Sequence, residues 1–237
     1  NFFTLPYKLI PSIDPTWLDK CQRWKTKWSI FDREDIHELN MYSFSKTLSE
    51  ITKNSTVVTD AGSAYYILAQ SLLNNQLILP SAQGEMGFTL PATIGAYLAN
   101  PNNTVIGVTG DGSFQFNIQE LQTIVHNNLP IKIFILNNGG YLSIKNTQTK
   151  FFNKRFSGTG PSSGISFPDT EKIAYAYGIP FKRISTLKDL VKNLPLILNS
   201  DTYFLCEIMC PPDETIYPTS ATLQTEDGKL VSQPLEN

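Results

Sequence analysis

The residues best suited to chemistry in this sequence sit in two short runs. The first, Gly110-Asp111-Gly112-Ser113, follows the β-branched stretch that begins at Val105. The second, Asn137-Asn138-Gly139-Gly140, follows Ile133-Phe134-Ile135-Leu136, and the 24 residues from 113 to 136 separate the Gly-Asp-Gly from the Asn-Asn. That spacing is one strand–helix–strand unit, so Asp111 and Asn138 are expected side by side at the carboxyl edge of a parallel sheet, where such sheets bind ligands. Glycines let a ligand approach the backbone, and a helix start offers N–H groups and a positive dipole end to a phosphate. One oxygen from Asp111, one from Asn138 and a backbone carbonyl suit Mg²⁺, which takes few protein ligands and completes its shell with phosphate and water. The same set is poor for zinc. Taken alone, Gly-Asp-Gly also fits a plain tight turn with Asp111 opening a helix, and it is the second run that raises the functional reading.

Charge supports a metal-bridged anion. From Thr104 to Ile144 the only Lys or Arg is Lys132, expected at the far end of its strand. Unit charges about 4 Å apart at an effective dielectric near 20 interact by roughly 4 kcal/mol, so Asp111 would repel a bare diphosphate and a divalent ion between them reverses the sign.

The elements that must position these runs read as an α/β domain. Strands are expected at Thr56–Asp60, Thr104–Thr109, Ile131–Leu136, Phe181–Ile184 and Tyr203–Met209, as short β-branched or apolar runs bounded by Gly, Pro, Asn or Asp. Helices are expected between them at Ser43–Thr52, Ala64–Leu73, Pro91–Leu98, Asn117–Asn127, Thr170–Tyr177 and Leu187–Leu198. In the fourth, Ile118, Leu121, Ile124 and Val125 make one apolar face. The alternation predicts a doubly wound parallel sheet with helices on both faces. Residues 139–168 carry no clear period and are expected as a long functional connection. Residues 1–40, rich in Pro, Trp and charge, are expected to be a linker with one peripheral helix near Trp17–Trp28, and 41–237 the main domain.

Composition bounds the rest. With 41% hydrophobic and 17% charged residues the 237-residue chain is in the globular range, and 19 basic against 21 acidic residues provide no field for nucleic acid or an anionic membrane. No apolar run approaches the roughly 20 residues of a membrane-spanning helix, so a soluble chain is expected. Cys21, Cys206 and Cys210 are too few for a disulfide framework, which points to a reducing compartment, the cytoplasm. His37 and His126, the two histidines, are expected as surface or packing residues, which leaves a nucleophilic triad unsupported. The absence of an initiating Met or a signal pattern suggests an excerpt of a longer polypeptide.

Gly110-Asp111-Gly112, 24 residues and Asn137-Asn138 resemble the cofactor motif of the thiamin diphosphate-dependent enzymes. Residues 84–96, Asn-Ile-Gln-Glu-Leu at 117–121 and the Pro-Asp…Ala-Tyr-Gly stretch at 168–178 are similar to the acetolactate synthase and pyruvate decarboxylase branch, most of all to acetolactate synthase-like large subunits. The likeness extends over residues 41–237 and implies the thiamin diphosphate-binding fold. It implies that Asp111, Asn138 and the Gly140 carbonyl bind Mg²⁺, and that Ser113 and Ser63 contact the diphosphate beside Gly110, Gly112 and Tyr141. Gly84 and Met86 would meet the aminopyrimidine through their backbones, with the Met86 side chain wedged under the cofactor. In that family the cofactor carries the hard step, decarboxylation of a 2-oxo acid such as pyruvate, followed by carboligation or release of an aldehyde. A catalytic glutamate is expected from the pyrimidine domain of a neighbouring subunit, and no residue here matches it. A homodimer or homotetramer is therefore implied, with upstream pyrimidine and central domains missing from this chain.

Three other readings compete with this one. A nicotinamide-binding domain needs a glycine where Gln115 stands, and a nucleoside triphosphatase needs a Gly-x-x-x-x-Gly-Lys run that does not occur. A binding-only cofactor module without catalysis is the third, disfavoured because both oxygen ligands are kept.

Overall fold

A computed structural model describes residues 15–80, 83–219 and 222–232; the linker expected before residue 15 lies outside them. The chain divides into two compact units, one built from the residues up to Arg33 with those after Thr219, the other from 34–219. In the first, helix α1 spans Pro15–Lys27, within the stretch where a helix near Trp17–Trp28 is expected. Its Trp17 and Trp24 rings meet edge to face with centroids 5.6 Å apart. Strands β7 (Thr222–Gln224) and β8 (Leu230–Ser232) pair antiparallel in the same unit.

The second unit contains the sheet. Its strands are β1 (Thr56–Thr59), β2 (Gln76–Ile78), β3 (Val105–Gly110), β4 (Lys132–Asn137), β5 (Phe181–Ile184) and β6 (Phe204–Met209), in the order β2-β1-β3-β4-β6-β5 and all parallel. The helices are α2 (Met41–Ile51), α3 (Ser63–Ser71), α4 (Thr89–Ala99), α5 (Asp111–Phe114), α6 (Glu120–His126), α7 (Leu142–Phe151), α8 (Thr170–Tyr177) and α9 (Leu187–Leu198). Alternation along β4 shows both faces covered, as the sequence predicts. Ile133 and Ile135 join a cluster with Leu90 and Ile94 of α4, Leu121 and Ile124 of α6 and Ala174 of α8. Phe134, pointing the other way, meets Phe44 of α2 with ring centroids 5.3 Å apart, and α2 packs against α3 and α9. Burial on both sides is why β1, β3 and β4 read as continuous apolar runs rather than alternating ones.

All five expected strands are present, and the helix bounds at Thr170–Tyr177 and Leu187–Leu198 match because their caps are local. Asp169 accepts from the N–H groups of Glu171 and Lys172, Gly178 closes α8 in the left-handed region, and Thr186 accepts from Asp189. Three elements differ from expectation. Strand β2 was missed because it is three residues long at the sheet edge and only partly buried. Helix α7 lies inside the stretch expected to be an irregular connection; Leu142 is its single buried residue, so no apolar stripe marks it. The helix expected at Asn117–Asn127 is α6, preceded by α5 and a 3₁₀ turn at Gln115–Asn117. Lys132 opens β4 at the end away from the motifs, fully buried, and its ammonium donates to the carbonyls of Pro130, Ser200 and Thr202.

Candidate functional site

The strand order reverses between β1 and β3, because the chain leaves β1 for the β2 edge and returns to the other side. At the carboxyl ends of β1, β3 and β4 lies a cavity of about 240 Å³ within the second unit. A crevice at such a reversal is where an open α/β sheet can receive a ligand, since the loops diverge there. All ten residues singled out by sequence line it: Ser63, Gly84, Met86, Gly110, Asp111, Gly112, Ser113, Asn138, Gly140 and Tyr141. His37 and His126 are exposed and do not line it.

Asp111 is the focus of the polar geometry. Its Oδ1 accepts the Gly112 N–H at 2.7 Å, and its Oδ2 accepts the N–H groups of Asn138 at 3.2 Å, Gly139 at 2.8 Å and Gly140 at 3.1 Å. The loop after β4 thus wraps its backbone donors around a carboxylate carried by the turn after β3. The Asn138 Oδ1 accepts the same Gly140 N–H at 3.3 Å. Two side-chain oxygens from adjacent strand tips therefore converge on one donor. Burial pushes the Asp111 carboxyl up to about 6, and the four backbone N–H groups offset part of that rise. Among the described residues no Lys, Arg or His lines the cavity.

Positive potential comes instead from the backbone. Helix α3 starts after Gly62 and α7 after Tyr141, and neither has a side chain capping its first N–H groups. The first residues of both helices line the cavity, and the Ser63 and Ser143 hydroxyls lie 3.5 Å apart across it. Two open helix starts facing one space are suited to an anion. Gly112 allows this closeness, since a Cβ there would collide with the Tyr141 ring, which in turn packs edge to face on Phe167 at 5.5 Å.

Met41, Ala61, Gly62, Leu142, Ser143 and Ile144 also line the cavity, beyond the ten residues singled out by sequence. Gly62 carried a signal, as a glycine in the short turn between a strand and a helix. The α7 residues carried none, because an exposed helix leaves no period in the sequence. Among the described residues no group of three or more His, Cys, Asp or Glu side chains is arranged to hold a metal. The converging oxygens here are one carboxylate and one side-chain amide, a composition that matches a hard ion sharing its shell with phosphate and water.

Comparison with known proteins follows the same outline. Residues 60–208, from the tip of β1 into β6, match the family of the thiamine pyrophosphate enzyme C-terminal TPP binding domain. The acetolactate synthase large subunit of Cyanidium caldarium is 34% identical over 221 residues, covering 92% of this chain and 37% of that protein. The acetolactate synthase isozyme 2 large subunit of Escherichia coli strain K12 is 36% identical over 165 residues, 68% of this chain and 30% of that protein. Among solved structures, the thiamine diphosphate-dependent 4-hydroxybenzoylformate decarboxylase of Rhodococcus jostii RHA1 superposes with a TM-score of 0.65 and 26% identity, over 76% of this chain and 34% of that one. The chain thus spans about a third of the length of these relatives. With its family match over the sheet, its relatives at 34% and 36% identity and its fold shared with such an enzyme, the chain belongs to the thiamin diphosphate-dependent enzymes as their C-terminal cofactor-binding domain.

Proposed function

We propose that the cavity holds thiamin diphosphate through one Mg²⁺ ion, and that the chain is the cofactor domain of an acetolactate synthase-like carboligase acting on a 2-oxo acid such as pyruvate. The observation that carries this reading is the convergence of Asp111 Oδ2 and Asn138 Oδ1 on the Gly140 N–H, in a cavity with open helix starts and no basic side chain. The residues fit the cofactor. Asp111, Asn138 and the Gly140 carbonyl would hold the ion, while Ser63, the turn from Gly110 to Ser113, Tyr141 and the starts of α3 and α7 would face the diphosphate. Gly84 and Met86 would meet the pyrimidine half.

The bound cofactor supplies the carbon nucleophile that a 2-oxo acid needs in order to lose CO₂. The chain's own residues would orient and shelter that centre: Met86 would press against the cofactor to set its conformation, and Leu142 and Ile144 add apolar wall to the same cavity. The glutamate that works on the pyrimidine belongs to a neighbouring subunit in this reading, so the working form is a homodimer or homotetramer. Three free thiols among the described residues suit a reducing compartment such as the cytoplasm. No helix among the described residues is long and apolar enough to cross a membrane.

Calorimetry on the complete protein tests the first part: thiamin diphosphate should bind only with Mg²⁺ present, and binding indifferent to a chelator would overturn the metal assignment. Product analysis with pyruvate tests the second. A carbon–carbon-bonded product supports the carboligase, and a free aldehyde supports the runner-up, a non-oxidative decarboxylase, which the R. jostii neighbour favours. Cofactor binding with no turnover would leave the binding-only module.

A further inference from the structure

Ser113 sits in the turn that carries Asp111, and its hydroxyl is occupied. It accepts the Gly87 N–H at 2.8 Å. The Asp60 carboxylate, fully buried at the tip of β1, lies beside the same hydroxyl and also takes the Thr109 Oγ1–H at 2.9 Å. The Ser113 oxygen thus presents a lone pair to the Gly87 N–H. One turn further on, the Asn117 Nδ2 donates to the Gly87 carbonyl at 2.8 Å. Both sides of Gly87 are therefore pinned, its N–H by Ser113 and its C=O by Asn117. Gly87 itself is buried with φ +82°, and a Cβ there would stand 2.6 Å from the Phe116 Cβ. Only glycine fits beneath the clamp.

The peptide that Ser113 holds is the one joining Met86 to Gly87, and Gly84 and Met86 line the cavity just before it. We propose that Ser113 and Asn117 are positioning residues, a two-point clamp that fixes the Gly84–Met86 segment against the pyrimidine half of the cofactor. In this arrangement Ser113 faces the diphosphate through its backbone and spends its hydroxyl on the clamp. The proposal rests on the thiamin diphosphate reading above. It adds a physical link between the two ends of the site, since the short turn that presents the metal-side carboxylate also holds the segment on the pyrimidine side.

The test compares two probes by calorimetry on the complete protein, each with Mg²⁺: thiamin diphosphate, and inorganic diphosphate, which lacks the pyrimidine. Ser113→Ala and Asn117→Ala should each weaken thiamin diphosphate binding by roughly fivefold to tenfold, the worth of one buried hydrogen bond, and leave diphosphate binding within about twofold. A hydroxyl that touches the anion would instead weaken both probes equally in Ser113→Ala, and that result overturns the proposal. Unchanged affinity for both probes overturns it as well. Should Asn117→Ala fail to fold, Asn117→Asp keeps the shape, removes the donor and carries the same expectation. If the unsubstituted protein binds neither probe, the cofactor reading falls and the clamp with it, whereas a wrong pattern in the variants alone sinks only the clamp.

Discussion

Two buried carboxylates in one sheet, Glu207 and Asp111, have opposite surroundings. Glu207 in β6 is 1% exposed, and its charge is answered by protein. Its Oε1 accepts from Asn137 Nδ2 and Thr170 Oγ1 at 2.7 Å each, and its Oε2 pairs with Arg183 Nε at 2.5 Å. Arg183 also reaches Asp169 at 3.3 Å and Glu171 at 3.7 Å, and its hydrogen bond to Glu207 raises its own pKa. Asp111 at the tip of β3 is 6% exposed and meets only neutral N–H donors. A buried anion with a guanidinium is a closed structural node, whereas one held only by backbone dipoles keeps its capacity for a cation. The two are joined through Asn137, whose Nδ2 serves Glu207 while its Oδ1 accepts the Gly139 N–H at 3.0 Å.

Substitutions can break this contrast, and the largest effect is expected at Asp111. Asp111→Ala should abolish Mg²⁺-dependent thiamin diphosphate binding while the fold persists, because a side chain at the sheet edge is removed rather than core volume. Calorimetry with circular dichroism checks both halves, and retained affinity would refute the ligand role. Glu207→Ala should act the other way, costing about 3 kcal/mol in denaturant unfolding by stranding Arg183, Asn137 and Thr170, with cofactor affinity changed far less. A large loss of affinity with unchanged stability would erase the distinction between the two carboxylates.

Acid titration sharpens the same contrast. The folded pKa of Asp111, about 6, lies above its ordinary value, so the folded state binds the proton more tightly than the unfolded chain. Its contribution in the metal-free protein is therefore most favourable at low pH and is lost as pH rises from about 4 to about 6, by ~3 kcal/mol. Subtracting the Asp111→Ala profile from the parent profile should isolate that slope, and a flat difference would contradict it. The smallest effect is expected at the bridge. Asn137→Ala should cost about 1 kcal/mol of stability and only a fewfold in Mg²⁺ affinity, because it loosens the loop without touching an ion ligand. A loss as large as that of Asp111→Ala would mean that Asn137 rather than Asn138 faces the ion.

Much of this was legible in the sequence. Parallel strands buried on both faces announce themselves as β-branched runs, and Gly-Asp-Gly with Asn-Asn one unit later points to a shared sheet edge. What stayed illegible follows one rule: elements without a buried stripe leave no pattern. Strand β2 is short and at the edge, and α7 buries one residue, yet α7 brings Ser143 and an open helix start to the cavity. Of the motif's two asparagines, the sequence placed Asn138 at the site and assigned Asn137 no partner. In the structure Asn137 turns to Glu207 and Asn138 to the Gly140 N–H that Asp111 shares.

By itself, then, the sequence determined the fold class, the two motif turns and the capped helices, because hydrophobic period, caps and turn glycines act over a few neighbouring residues. Tertiary structure alone decided which carboxylate received an arginine, that Asn137 turns to Glu207, and that Ser113 and Asn117 grip Gly87 from 26 and 30 residues away. Those pairings depend on how strands register and loops close. They involve polar groups that satisfy one another across long separations, and such partnerships carry no local signature in the order of the residues.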